Sequence, residues 1–275
     1  MQQRLAIVTL IALLLIAAIG TTVWRLQQPD QDPQVAIPLP VPPFPPRIAN
    51  GEAYEQCLSA LTDDPDNARL IADTLAAAGG GDGAAHCQGL ALIVAGQPSR
   101  GAERLEQLAT ASLAPDLARA IVFAQAAQAR LMANQPAPAR EDATRALALA
   151  PSDTQLLIQR ALTSEAMGQW QDAIADLTQA LTLEPHRADA LVLRAADWRR
   201  GGRLDLAMAD ADRAIGLDPD NAEALLERGI ERQRMGDVMG ARADWQRARS
   251  LDPNSTTADL AEQNLALLDA GPNQR

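Results

Sequence analysis

"AIGLDPDNAEALLERG", residues Ala214 to Gly229, sets an Asp-Pro pair among residues that otherwise favour helix. Proline lacks an amide hydrogen and drives the residue before it out of the α region, so Asp218-Pro219 ends one helix. Asp220 and Asn221 then stand where a cap for the next helix belongs. The same punctuation recurs at "LALAPSD" around Pro151, "LTLEPHR" around Pro185 and "RSLDPNS" around Pro253. The four prolines are spaced 34 residues apart, and a fixed period of this length marks an array of identical supersecondary units.

Aligned on the prolines, the units are 120–153, 154–187, 188–221 and 222–255, each with two helical patterns and a turn between them. The turns fall at Asn134-Gln135, Gly168-Gln169, Gly201-Gly202 and Gly236-Asp237. Alanine follows at 139, 173, 207 and 241, and again at 146, 180, 214 and 248. Small residues at repeated points let paired helices approach closely. This pattern resembles the tetratricopeptide repeat (TPR) family over about half of the chain. The resemblance implies an all-α solenoid, a right-handed superhelix of antiparallel helix hairpins whose first helices line a concave groove. Members of the family are typically scaffolds that hold a protein or peptide partner there.

The groove positions that the resemblance implies are Gln155, Ile158, Leu162 and Glu165, then Asp189, Val192, Ala196 and Arg199, then Glu223, Leu226, Ile230 and Gln233. That surface is mixed and poor in aromatic rings, which suits modest affinity for an extended or helical segment. Trp170, Trp198 and Trp245 fall where the family places large interhelical side chains, so they read as packing. Two ladders run at the same period: Arg160, Arg194 and Arg228, and Asp142, Asp176, Asp210 and Asp244. They read as structural ion pairs, formed either within a unit at a separation of 16 or with the preceding unit at 18. The rival reading is a clamp for an anionic ligand.

Upstream, residues 49–119 hold a degenerate version of the pattern. Pro65 precedes Pro151 by 86 residues, room for five helices, with candidates at 68–78, 84–95, 100–111, 116–133 and 137–149. A helix over 52–62 completes the first hairpin, and "GGGDG" at 79–83 reads as a loop between units. Downstream, 256–275 reads as a capping helix over 256–270 and a short tail, with Leu260, Leu265 and Leu268 turned inward.

The N-terminal 26 residues differ in kind. From Leu5 to Val23 no residue is charged, and 19 helical residues of about 1.5 Å rise match the hydrocarbon thickness of a bilayer. The segment reads as an N-terminal transmembrane helix, with Trp24 and Arg25 at the interface. The competing reading is a signal peptide cleaved after Ala18-Ile19-Gly20 and secretion to the periplasm. Arg4 favours a cytoplasmic N-terminus, which places the repeats outside. Residues 27–48 form a linker with eight prolines between Gln27 and Arg47, a polyproline II spacer rather than a helix.

An exported body sits in an oxidising compartment, so the two cysteines, Cys57 and Cys87, are expected to form a disulfide. Both lie near the starts of first helices in successive hairpins, which stack in a solenoid. The alternative is a pair of small buried thiols.

Composition narrows the rest. With a net charge of -11 and 24 basic residues, all arginine and scattered, the chain lacks the cationic block that nucleic acid requires. His86 and His186 share no metal-ligand spacing with other residues, and no phosphate-cradling glycine loop precedes a lysine. His86 and Cys87 are adjacent, so on a helix they point about 100° apart. The expectation is a non-catalytic TPR scaffold without cofactor, small-molecule substrate or metal, on the outer side of a membrane. The alternative is a structural subunit packed permanently in an envelope assembly.

Overall fold

The computed structural model describes residues 47–270, which form thirteen α-helices and, among the described residues, no strand. In chain order they are α1 (Glu52–Asp63), α2 (Pro65–Ala77), α3 (Gly81–Val94), α4 (Pro98–Ala111), α5 (Asp116–Met132), α6 (Pro136–Leu149) and α7 (Thr154–Glu165). Then come α8 (Trp170–Leu183), α9 (Ala188–Arg200), α10 (Leu204–Leu217), α11 (Ala222–Arg234), α12 (Val238–Leu251) and α13 (Thr256–Ala270). The apolar run at 5–23 and the proline-rich segment up to residue 46 lie outside the described residues, as does the tail from 271. Among the described helices none is long and apolar enough to cross a membrane.

The punctuation acts through the backbone. Asn221 accepts from the Ala224 amide at 2.8 Å and Asp153 from the Leu156 amide at 3.1 Å, so side chains before α11 and α7 satisfy orphan donors. Pro65, Pro98 and Pro136 open α2, α4 and α6, where a missing amide hydrogen costs nothing. In the four hairpins from α5 to α12 the first helix ends in a left-handed residue, Asn134, Gly168, Gly202 or Gly236. The following amide then reaches back to close the last turn, as from Gln135 to Arg130 O at 2.8 Å and from Asp237 to Arg232 O at 2.8 Å.

Packing follows sequence order. Each helix contacts its successor, and first helices also touch the next first helix, as α1 touches α3, α5 touches α7 and α9 touches α11. This nearest-neighbour pattern defines a solenoid. The periodic alanines Ala139, Ala173, Ala207 and Ala241, with Ala146, Ala180, Ala214 and Ala248, are each 0% exposed. Leu157, Leu191 and Leu225 form a further buried ladder. α13 closes the end by burying Ala261 and Leu265 against Leu225, Leu226 and Trp245.

Two boundaries move. "GGGDG" is not a loop throughout, because Gly81, Asp82 and Gly83 form the first turn of α3. There Gly83 lets Ala49 and Tyr54 lie close, a Cβ at that position falling 3.1 Å from Ala49 Cβ. The fold also begins before residue 49, since Ile48 is buried in the core and Arg47 pairs with Glu55. α5 starts at Asp116, where the 116–133 candidate places it.

Cys57 on α1 and Cys87 on α3 are joined by a disulfide, with Cα atoms 6.4 Å apart and both side chains buried. Beside it His86 accepts from the Tyr54 hydroxyl at Nδ1 (2.6 Å) and donates from Nε2 to Gln125 Oε1 (2.6 Å). That chain ties α1, α3 and α5 together. Burial holds His86 down to about 4, against the hydrogen bond it donates to Gln125, so the ring is neutral.

Candidate functional site: the face of the first helices

The arginine and aspartate ladders join at a separation of 16. Arg160 Nε and Nη2 reach Asp176 at 2.8 and 2.5 Å, Arg194 reaches Asp210 at 2.7 and 2.8 Å, and Arg228 reaches Asp244 at 2.9 and 2.7 Å. Each is a two-point fork that fastens the first helix of a hairpin to the second. Asp142 departs from the rule, because its ladder partner would be residue 126, an alanine. It takes Arg130, one turn later, with Nε at 2.6 Å. Burial still raises Asp142 to about 6 despite Arg130. With their forks filled by carboxylates, these arginines do not present a clamp for an anion.

The implied groove positions divide. Gln155, Asp189 and Glu223 share one register at the start of α7, α9 and α11 and are exposed, while Leu162, Glu165, Ile230 and Gln233 are half-buried. Ile158, Val192, Ala196 and Leu226 are instead buried, because the stacked first helices close over them. Arg199 is buried too, at 7% exposure, and pairs with Glu227 of the next first helix at 2.9 and 3.3 Å. Glu165 is held by Arg200 at 3.3 Å. Of the described tryptophans only Trp245 is fully buried; Trp198 is half-buried, and so is Trp170, whose ring carries the Arg200 guanidinium 5.0 Å from its centroid.

Sequence reasoning missed two carboxyls behind this face. Asp197 and Glu231 are both 0% exposed, and neither oxygen of Glu231 has a hydrogen-bond partner. Burial raises Asp197 to about 8, with Glu165 raising it further and Arg200 opposing. Burial likewise raises Glu231 to about 8, with Glu227 adding to the shift and Arg199 opposing. Both are therefore largely protonated at neutral pH. Their spacing of 34 was the available signal. Among the described residues no group of three or more His, Cys, Asp or Glu side chains is arranged to hold a metal ion.

No protein-family model matches the chain, and no curated protein matches it. Solved structures do. A crystal structure of MamA aligns with a TM-score of 0.52 at 16% identity, covering 60% of this chain and 94% of the other. A MamA RS-1 double mutant aligns at 0.52 and 15% identity, covering 74% and 97%. YrrB, described as a TPR protein with an unusual peptide-binding site, aligns at 0.47 and 16%, covering 77% and 98%. The likeness is one of fold, a solenoid of helix hairpins. With its 34-residue punctuation, paired alanine ladders and nearest-neighbour stacking, the chain has the fold of a tetratricopeptide-repeat solenoid.

Proposed function

We propose that the protein is a non-catalytic scaffold, anchored by residues 5–23 with its repeats on the outer side of a membrane, that binds a segment of a partner protein along α7, α9 and α11. The observation that carries this reading is the shared register of Gln155, Asp189 and Glu223, polar and exposed at the repeat period beside the half-buried Leu162 and Ile230, with Arg187 bridging Gln155 and Asp189, and Glu223 beyond its reach. Such a strip offers apolar contact flanked by carboxylates, which suits a partner segment that is basic and amphipathic. The apolar run, Arg4 and the Cys57–Cys87 disulfide support export.

The test leaves the ladder forks in place and gives up only the fork of Asp189 with Arg187, which keeps Glu184 as a second carboxylate. Asp189→Lys with Glu223→Lys reverses the strip without touching Arg199–Glu227 or the aspartate ladder. Capture of a partner from detergent extract is expected to be lost while the melting temperature holds. Unchanged capture refutes the groove. A reporter fused after Arg275 is expected to be active only outside the cytoplasm, and cytoplasmic activity reverses the topology.

The second reading, a subunit packed permanently in an assembly, draws on Leu183, Leu217 and Leu251, which are 46%, 39% and 36% exposed at the repeat period. Under it, the double reversal leaves the partner bound and Leu217→Glu releases it.

A further inference from the structure

Arg69, Arg100 and Arg104 line one cavity of about 210 Å³ between α2, α3 and α4. Among the described residues none of the three holds a carboxylate. Elsewhere the arginines of this acidic chain mostly do, as at Arg140, Arg187, Arg203, Arg242 and Arg247. Of the other described arginines without an ion pair, Arg213, Arg234 and Arg249 lie apart on α10, α11 and α12. Half of the uncompensated guanidinium groups of the described residues therefore gather at one place.

Their placement is locally unfavourable. Arg100 sits in the first turn of α4, where the helix dipole disfavours a cation, and Arg100 and Arg104 stand four apart on one helix face as like charges. Gln88 orients the site, accepting from Arg104 Nη2 at 3.0 Å and donating to Asp73 Oδ1 at 3.2 Å. Arg100 leans on Gln97 Oε1 at 2.6 Å. Three guanidinium groups against the single carboxylate of Asp73 leave a formal charge of about +2, which complements a phosphate dianion. The volume is below the roughly 300–1,000 Å³ of a site for a whole organic cofactor, so the cavity takes a head group. Its remaining wall, Ala72, Ala91 and Leu92, is apolar and suits a short carbon stem.

We propose that the cavity between α2, α3 and α4 binds a phosphate group, free or at the head of a small monoester, through Arg69, Arg100 and Arg104. The site lies on the degenerate N-terminal repeats, away from the strip on α7, α9 and α11, and does not depend on that strip binding a partner.

Calorimetric titration of the full chain at low salt tests this, with O-phosphoserine, inorganic phosphate and succinate as separate probes. Saturable binding of a phosphate probe is expected, weakened about tenfold or more by Arg104→Gln and by Arg69→Gln, and less by Arg104→Lys, which keeps charge but loses the fork. Arg249→Gln leaves it unchanged. Tighter binding of O-phosphoserine than of inorganic phosphate assigns the monoester, and equal binding assigns the free ion. Absence of saturable heat overturns the proposal, as does equal affinity for succinate or binding indifferent to Arg69→Gln and Arg104→Gln in variants with unchanged helical circular dichroism.

Discussion

Asp197 on α9 and Glu231 on α11 stand in one register, 34 residues apart, and both are fully buried. Their pKa values lie near 8 in the fold, against about 4 in an unfolded chain. The stability they allow is complete below about pH 4 and is lost as pH rises through about 8, because the unfolded chain ionises first. Denaturant unfolding is therefore expected to show falling stability from pH 5 to 9. Glu231→Gln should flatten that slope and raise stability at pH 8 by about 1–2 kcal/mol. An unaltered slope in Glu231→Gln together with Asp197→Asn would remove these carboxyls from the account.

Reduction acts at the other end of the array. The Cys57–Cys87 bond closes a loop of 30 residues, worth about 3–4 kcal/mol in the chain-entropy model. Repeat arrays are stabilised by nearest neighbours, so the loss is expected to concentrate in α1, α2 and α3. Hydrogen exchange after reduction should rise there and leave α9 to α12 protected. Uniform loss of protection would argue that the array unfolds as one unit.

A glycine makes room in the last repeat. Trp245 occupies the position held by Leu177 and Ala211 in earlier units, and Gly229 stands where they have Ala161 and Ala195. A Cβ at 229 would fall 2.5 Å from Trp245 Cδ1, while the indole donates to Leu226 O at 3.2 Å. Gly229→Ala is expected to cost about 1–3 kcal/mol by overpacking. Adding Trp245→Leu restores the pairing of unit 154–187 and should recover part of the loss, which a double-mutant cycle measures. Additive effects of the two changes would show that they do not meet.

The repeat frame was legible because its signals act locally: proline stops a helix, a left-handed residue turns it, and alanine sets a helix separation. What stayed hidden depends on curvature and partner choice. Whether Ile158, Val192 and Arg199 face a groove or are covered is decided by how closely successive first helices stack, which periodicity does not report. The glycines that open α3 were ambiguous for a related reason. A Cβ at Gly83 would fall 3.1 Å from Ala49 Cβ, so glycine serves close approach there rather than a loop. The ion-pair ladder was readable as a spacing, but its exception at Asp142 followed from Ala126, where the ladder position carries no guanidinium.

That exception bears on the last prediction, which compares two rungs. Asp244 is 4% exposed and receives Arg228 at 2.9 and 2.7 Å and also Arg232 Nη1 at 2.8 Å, whereas Asp176 is joined by Arg160 alone. Removing a buried acceptor weakens the balance of every guanidinium it holds, and two such groups cost more than one, although Arg228 keeps Asp212 at 2.9 Å. Asp244→Ala is therefore expected to destabilise by about 2–4 kcal/mol and Asp176→Ala by about 1–2 kcal/mol. Arg232 also reaches Asp237 at 3.8 Å, which limits the difference by giving it a second carboxylate. Equilibrium denaturation of both variants in the same buffer checks the order. A smaller loss at Asp244 than at Asp176 would show that Arg232 is fully compensated by Asp237 and solvent, and that the second fork adds no stability to the rung.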